Sequence, residues 1–139
     1  MQHRQMLEER CPGAVFIGVG ILDGFWLVYD GFSTRWGGAV ANIIPSRQDE
    51  VWGGLFQLTE DQLAALDAYE GSPKYYQRRQ VEILRPGIKD KVLAWIYYRQ
   101  PQAAGVPSKR YLETVIRGAR DCRLPEDYIH SVLDVVHKA

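Results

Sequence analysis

The segment from Ala14 to Leu58 constrains the fold most, because its pattern is that of β-strands throughout and no helical period interrupts it. Four runs rich in β-branched and aromatic residues follow one another, at 14–22, 25–31, 37–45 and 50–58. The Asp-Gly pair at 23–24 predicts a tight turn, and the polar run 46–49 predicts another. Strands joined by such short turns pair antiparallel. We therefore expect four strands here, arranged as a meander or as the wall of a barrel.

At Thr59 the period changes from that of a strand to that of a helix. Thr59 and Gln62 have the spacing of a capping box, in which each residue satisfies a backbone N–H of the other. Leu66 lies on the apolar face of the predicted helix, and Glu70, four residues later, continues that face. Gly71 is a natural residue to end the helix. We predict a short amphipathic helix that closes on an acidic residue.

The rest of the chain completes a mixed α+β pattern. A helix is predicted over 1–10, strands over 74–84 and 91–98, and helices over 109–122 and 124–139. Ser108 is the predicted N-cap of the first of these last two helices, and Pro125 begins the second. The order is not the alternating βα order of a parallel sheet. We expect one domain over 1–139, with a small, mostly antiparallel β-barrel or curled sheet and flanking helices.

Composition narrows the class of function. The 17 basic and 17 acidic residues balance, which argues against a nucleic-acid partner. The basic residues of 77–80 are interpreted as a solvated strand face. No apolar run is long enough to cross a membrane and no signal peptide is visible, so we expect no membrane partner and a cytoplasmic location. Cys11 and Cys122 are far apart and the three histidines are scattered, so we expect neither a disulfide framework nor a metal site.

Glu70 is the residue with the clearest chemical interest on local grounds. It lies in the last helical turn, where the negative end of the helix dipole disfavours a carboxylate. Burial against Tyr69, Tyr75 or Tyr76 would disfavour the ionised form further, and a carboxyl group tuned in this way exchanges protons well near neutral pH. The alternative is a solvated glutamate without function, beside tyrosines that only pack in the core.

Several blocks of sequence, in order, resemble the γ-glutamylcyclotransferase (AIG2-like) family. They are "DEVWG" at 49–53, "LDAYEG" at 66–71, "VPSKRY" at 106–111 and "RGARDCRLPEDY" at 117–128. The resemblance extends from about residue 2 to about residue 135. It implies a small mixed β-barrel with flanking helices, in agreement with the element order.

The resemblance also implies an activity and a site. Members of this family cyclise the γ-glutamyl group of a small substrate to 5-oxoproline and release the attached amine, without a metal or an organic cofactor. Glu70 matches the family's general acid/base, and Tyr76 and Tyr111 match positions that line the substrate cavity. The identity of the released amine stays open: it is an amino acid, a simple amine or the lysine of a crosslink.

The chain departs from the family pattern at its start. The family begins with a strand that leads into a Tyr-Gly-Ser loop, which holds the glutamyl group, and this sequence contains no such tripeptide. By alignment Met1 falls about where that loop ends. We therefore expect a domain shortened at its N-terminus, with the first strand missing. Three explanations are open. The reading frame begins too late, the protein is a shortened inactive relative that only binds a ligand or protein, or a partner chain fills the gap.

A missing strand leaves sheet edges unpaired, and unpaired edges invite pairing with another chain. On that basis we expect either a homodimer formed through the exposed sheet edges or a rearranged sheet.

Overall fold

The computed structural model describes residues 13–70 and 76–134, except for the side chains at 69, 70, 89 and 90. The elements are, in chain order, β1 (Val15–Ser33), β2 (Gly38–Gln57), α1 (Glu60–Glu70), β3 (Gln77–Arg85), β4 (Ile88–Tyr98), α2 (Lys109–Asp121) and α3 (Glu126–Tyr128), which continues into a π-helical turn (Ile129–Leu133). The strands form one antiparallel sheet in the order β2-β1-β3-β4. The predicted α+β class is confirmed. The helix predicted over 1–10 lies outside the described residues.

The segment 14–58 forms two long strands, so the prediction of four short ones was wrong. β1 has 19 residues and β2 has 20. They pair along their whole length, from Val15↔Gln57 to Ser33↔Gly38. The chain reverses only at 34–37, where the N–H of Gly37 donates to the Ser33 carbonyl at 2.7 Å and Gly37 adopts a φ of 77°.

The two turn signals that misled the prediction lie opposite each other in this hairpin. Register pairs on either side of them, Asp23↔Glu50 and Phe25↔Pro45, leave one residue of β1, Gly24, facing four residues of β2. Gly24 has a φ of 84°, a conformation that other residues rarely adopt. Extra residues in one strand of a pair bend the strand and interrupt the ladder without reversing the chain. The turn residues therefore mark a shared irregularity in both strands.

The β3–β4 hairpin follows the prediction closely. Its turn contains Gly87, which has a φ of 78°. It joins the long hairpin through the single registered pair Ile21↔Leu84. Among the described strands the sheet is open, with β2 and β4 at its edges. One cluster of the core lies between the two hairpins and contains Leu22, Val81 and Ile83.

The predicted capping box begins α1. The Thr59 N–H donates to the Gln62 Oε1 at 2.8 Å, and the Gln62 N–H donates to the Thr59 Oγ1 at 3.2 Å. Leu66, on the predicted apolar face, is buried in a cluster with Ala14 and against Phe56. The local signal and the tertiary contact agree, and this agreement fixes which side of α1 faces the sheet.

The C-terminal helices cover one side of the long hairpin. Pro125 directly precedes α3, as predicted, but α3 itself is short and passes into the π-helical turn. Ile129 in that turn is completely buried, in a cluster that also packs against Leu27 and Trp52. Gly54 allows a close approach here, because a Cβ added to it would lie 2.6 Å from the Cys122 Sγ.

No helix of the described part is both long and apolar enough to span a bilayer. Within the described ranges, no three side chains of His, Cys, Asp or Glu are grouped so that they could hold a metal ion. The expected cytoplasmic location, the cofactor-free reaction, the lack of a nucleic-acid partner and the single shortened domain stay predictions.

Candidate functional site

Glu70 is the last residue of α1, and the contacts of the preceding turn show where that end of the helix is held. The Tyr97 hydroxyl donates to the Asp67 Oδ1 at 2.5 Å, and the Arg78 Nη1 lies 3.3 Å from the Asp67 Oδ2. Asp67 therefore anchors α1 to β3 and β4. Glu70 follows three residues later, about 4.5 Å further along the helix axis. Its side chain lies outside the described part, as do Gly71 and Tyr75.

Tyr111 is positioned by the first turn of α2. Ser108 is the N-cap, as predicted, and its Oγ accepts from the Tyr111 N–H at 3.2 Å. The Tyr111 hydroxyl oxygen accepts from the Ala41 N–H of β2 at 2.8 Å. Its ring packs edge-on against Trp36 and Tyr29, with centroid distances of 5.1 and 6.4 Å. The half-buried phenol is thus fixed at both its ring and its oxygen.

Tyr76 lies just before β3 and contacts an arginine that the sequence analysis did not single out. The Arg99 Nε donates to the Tyr76 hydroxyl oxygen at 3.4 Å, and the guanidinium carbon is 5.7 Å from the centre of the Tyr76 ring. Arg99 directly follows β4 and is only 5% exposed. A buried guanidinium needs a counter-charge and several acceptors.

Asp30 supplies that counter-charge, and Asn42 completes the arrangement. The Asp30 Oδ1 lies 2.5 Å from the Arg99 Nη1. The Asn42 Nδ2 donates to the Asp30 Oδ2 at 3.2 Å and to the Arg99 carbonyl at 3.1 Å, and its Oδ1 accepts from the Arg99 N–H at 3.3 Å. Asp30 and Asn42 are 2% and 4% exposed. We call Asp30, Asn42 and Arg99 the buried polar cluster.

One peptide group joins the two predicted substrate tyrosines through this cluster. The Arg99 Nη2 donates to the Val40 carbonyl at 3.1 Å, and the N–H of the same peptide group, that of Ala41, donates to the Tyr111 hydroxyl. The Tyr76 hydroxyl accepts from the Nε of the same guanidinium. Tyr76 and Tyr111, which are 35 positions apart in the sequence, therefore belong to one hydrogen-bonded chain.

The cluster also fixes the loop between β4 and α2. The Gln102 N–H donates to the Asp30 Oδ2 at 3.1 Å, and the Gly31 N–H donates to the Ala103 carbonyl at 3.0 Å. The Ala39 N–H donates to the Val106 carbonyl at 3.1 Å. Because this loop leads directly to Ser108, its anchorage sets the position of Tyr111.

The groups around Arg99 keep its guanidinium in the charged form. Burial alone would lower its pKa, but the hydrogen bond and charge interaction with Tyr76, together with the carboxylate of Asp30, raise the pKa of Arg99 above its ordinary value. Arg99 is therefore a permanent cation whose charge is balanced by the Asp30 carboxylate.

An apolar cavity of about 250 Å³ lies elsewhere in the sheet. Leu22, Ile43, Ile83 and Ile96 are among the residues that line it. A wall of this kind offers little to a charged ligand, because removing a charge from water without a polar partner is costly. Polar side chains lie instead around Tyr76, Tyr111 and Arg99.

Comparison with known proteins identifies the relatives of this chain. The model of the AIG2-like family matches residues 50–132. A γ-glutamylcyclotransferase of Mus musculus is 30% identical over 129 residues, which are 89% of this chain and 68% of that protein. A γ-glutamylcyclotransferase of Bos taurus is 31% identical with the same coverage.

Solved structures also show similarity to γ-glutamyl cyclotransferases and AIG2-like proteins. A structure described as a γ-glutamyl cyclotransferase superposes with a TM-score of 0.86 at 26% identity, over 94% of this chain and 79% of that one. An AIG2-like protein from Mus musculus superposes with a TM-score of 0.56 at 28% identity, over 73% and 69% of the two chains.

Fold and site together define a small α+β protein with an antiparallel sheet, flanking helices and a polar site built around two tyrosines. The chain belongs to the AIG2-like family, the family of the γ-glutamylcyclotransferases. The resemblance given by the sequence blocks is thereby confirmed.

Proposed function

We propose that this protein is a γ-glutamylcyclotransferase, with Glu70 as general acid/base and with Tyr76 and Tyr111 in contact with the substrate. Support comes from family membership, from the Glu-Gly step at the end of α1, and from the two tyrosines that meet at one polar cluster. The substrate class is a small γ-glutamyl amine or amino acid.

The reaction moves protons between two nitrogens of one substrate molecule. Glu70 accepts a proton from the α-ammonium group, and the freed amine attacks the γ-carbonyl carbon to close a five-membered ring. The bond from that carbon to the leaving nitrogen then breaks. The α-nitrogen loses two protons in becoming the lactam N–H, and the leaving nitrogen gains two in becoming an ammonium ion. Glu70 transfers protons between them, so the reaction consumes no net proton.

Two effects account for most of the rate. Nucleophile and electrophile belong to one molecule, so a site that holds the glutamyl chain folded supplies much of the acceleration. A carboxylate in reach of both nitrogens contributes about 10² to 10⁴-fold more. The first effect belongs to the tyrosines in this proposal and the second to Glu70.

The observation that carries the proposal is the link between Tyr76 and Tyr111 through Arg99 and the peptide group of residues 40–41. Tyr76 comes from the segment that follows α1, and Tyr111 comes from α2. A tertiary arrangement that links these two phenol oxygens through one guanidinium and one peptide group is more than core packing of aromatic rings requires.

The test is release of 5-oxoproline from γ-glutamyl substrates by the wild type and by Glu70→Gln. We expect a fall in kcat of about 10² to 10⁴-fold, because the amide cannot accept or return a proton. Glu60→Gln is the matched control, since Glu60 is exposed at the opposite end of the same helix. It should retain full activity. Equal turnover by wild type and Glu70→Gln would remove Glu70 from the mechanism.

A second candidate function is binding of a small γ-glutamyl ligand, or of a protein, without turnover. The hydrogen-bonded link between Tyr76 and Tyr111 serves such binding equally well. Calorimetry with a γ-glutamyl amino acid separates the two functions. Binding without release of 5-oxoproline, equal in wild type and Glu70→Gln, supports the non-catalytic role. A panel of γ-glutamyl amino acids, γ-glutamylamines and γ-glutamyl-lysine then identifies the amine.

A further inference from the structure

A cavity of about 270 Å³ lies at the opposite end of β3 from the candidate site. Arg85, the last residue of β3, lines it, whereas Tyr76 directly precedes the first residue of that strand. The nine residues of β3 place the two about 30 Å apart along the strand. Trp52 and Arg123, from two of the sequence blocks that carry the family resemblance, also line the cavity. The proposed reaction uses none of the lining residues, so this cavity is separate from the catalytic site.

The cavity combines two positive charges with an apolar wall. Within the described part of the chain, neither the Arg85 nor the Arg123 guanidinium forms an ion pair with a carboxylate. The Glu50 Oε1 accepts from the Trp52 Nε1 at 2.8 Å, which fixes the indole as part of the wall. Guanidinium groups bind oxyanions through paired N–H donors. The apolar lining consists of Val19, Trp52, Pro86 and Pro125.

Arg85 is held in place at one end of its guanidinium. Its Nη2 donates to the Ile17 carbonyl at 3.3 Å, where the pairing of β1 with β2 is irregular. The Nε of the same side chain is buried and has no hydrogen-bond partner among the described residues. A buried donor without an acceptor costs free energy, so such a donor in a native protein requires an explanation. An anionic ligand beside Arg85 would supply the acceptor.

Arg123 adopts a backbone conformation that glycine adopts more readily. Its φ is 62°, and no other described residue except glycine has a positive φ. The Arg123 N–H donates to the Arg120 carbonyl at 3.0 Å. The Leu124 N–H donates to the Ala119 carbonyl, also at 3.0 Å, which completes the Schellman pattern at the end of α2. Glycine is the usual residue at this position, because a Cβ is unfavourable there. The backbone therefore gains nothing from arginine here, and a strained residue of this kind is typical of ligand sites.

We propose that this cavity binds a small oxyanion, with the guanidinium groups of Arg85 and Arg123 on the anionic group and with Trp52 against an apolar part of the ligand. A carboxylate or a phosphate attached to a small ring has this chemistry. The volume lies near the lower limit for ligand pockets, so the ligand is small. The inference does not rest on the proposed function, since the cavity shares no lining residue with the catalytic site.

Calorimetry of the wild type with benzoate, phenyl phosphate and benzyl alcohol tests the site. We expect both anions to bind at least about 10-fold more tightly than the neutral alcohol, because contacts between a guanidinium and an anion are charge-assisted. The anion with the lower Kd shows whether the site selects a carboxylate or a phosphate. No binding of either anion at millimolar concentration, or equal affinity for the alcohol, would overturn the proposal.

Arg123→Gly separates contact with a ligand from a structural role. The exchange gives the end of α2 its favoured residue, so the unfolding temperature should stay the same or rise. The Kd of the tighter anion should nevertheless rise about 10-fold, and Arg85→Gln should raise it by a similar factor. Arg117→Gln is the matched control, because it removes one charge from an exposed residue of α2 outside the cavity and should leave Kd unchanged.

Two results with these variants would overturn the proposal. One is an unchanged Kd in Arg123→Gly together with a lower unfolding temperature, which is the result expected of a purely structural arginine. The other is an equal rise in Kd in Arg117→Gln, which would mean that the anions respond only to the net charge of the protein. Neither measurement requires turnover, so the outcome for this cavity is independent of whether Glu70 is catalytic.

Discussion

Cys122 shows at the residue scale how packing controls chemistry. It is the C-cap of α2, it is 5% exposed, and its sulfur packs against β2 at Gly54. Burial raises the pKa of the Cys122 thiol to about 11. The thiolate is the nucleophilic form of cysteine, so at neutral pH this side chain behaves as a small apolar group.

The raised pKa of Cys122 predicts a pH-dependent stability. Between the ordinary pKa of 9.0 and the folded value of about 11, the unfolded chain loses the thiol proton while the folded protein keeps it. The stabilisation is therefore complete below pH 9 and is lost as the pH rises to 11. Its upper limit is about 3 kcal/mol for a shift of about two pKa units.

Urea unfolding of the wild type and Cys122→Ala across this pH range measures the effect. The stability difference between the two proteins should shrink as the pH rises, because Ala does not titrate. Tyr29 and Tyr128, whose pKa values burial also raises, are present in both proteins and cancel. A difference that stays constant across the range would show that Cys122 ionises as freely in the folded protein as in the unfolded chain.

The same scale shows why part of the site was visible in the sequence and part was not. Tyr76 and Tyr111 were found through family motifs, which carry their own positional information. Asp30, Asn42 and Arg99 looked like polar interruptions of strand patterns, since Asp30 and Asn42 lie 12 residues apart and Arg99 lies 57 or 69 residues from them in the chain. A charged or amide side chain inside or directly after an apolar strand run was the available signal. Whether such a side chain is a buried partner or a solvated one depends on its tertiary contacts.

Gly38 controls the contact between two elements. Although its backbone φ is unremarkable, a Cβ at this position would lie 2.7 Å from the Val106 carbonyl oxygen and 2.8 Å from the Ser108 nitrogen. Both atoms belong to the backbone and cannot rotate away. The start of β2 therefore needs glycine so that the loop before α2 can approach it.

We predict that Gly38→Ala destabilises the protein by about 1–3 kcal/mol through overpacking. Gly53→Ala is the matched control in the same strand, because a Cβ at Gly53 would have no neighbour within 4 Å. That control should be neutral or slightly stabilising, since alanine costs less conformational entropy than glycine. Denaturant unfolding compares the two. Equal stability of both variants would mean that the loop does not press on β2.

The elements themselves differed in how far they could be predicted. The capping box of α1 and the N-cap of α2 depend on residues three positions apart, so local sequence was sufficient for both. The division of 14–58 into strands failed because Gly24 in β1 lies across the hairpin from residues 46–49. Whether a turn signal reverses a chain depends on what pairs with it, and that information is not local.

For the whole molecule, the open sheet is the main consequence of the fold. Among the described strands β4 is an edge, and its side chains Leu93 and Trp95 are 63% and 45% exposed. An edge strand with exposed apolar side chains is a template for pairing with another strand. We propose that a second copy of this chain occupies it, with the two β4 strands antiparallel about a twofold axis. Centred on Ala94, this pairing places Leu93 opposite Trp95 of the second copy.

The proposed dimer predicts the mass in solution and the effect of one charge. Sedimentation equilibrium should give about twice the 15.9 kDa of the single chain, with dissociation on dilution. Leu93→Lys should shift the protein to monomer, because a charge on an edge strand opposes strand pairing and each lysine would face Trp95 of the other copy. Val106→Lys introduces the same charge at a 71% exposed residue of the loop before α2, away from β4, and should leave the dimer intact. A monomeric wild type, or a Leu93→Lys variant that is as dimeric as the wild type, would mean that the β4 edge is not where two copies meet.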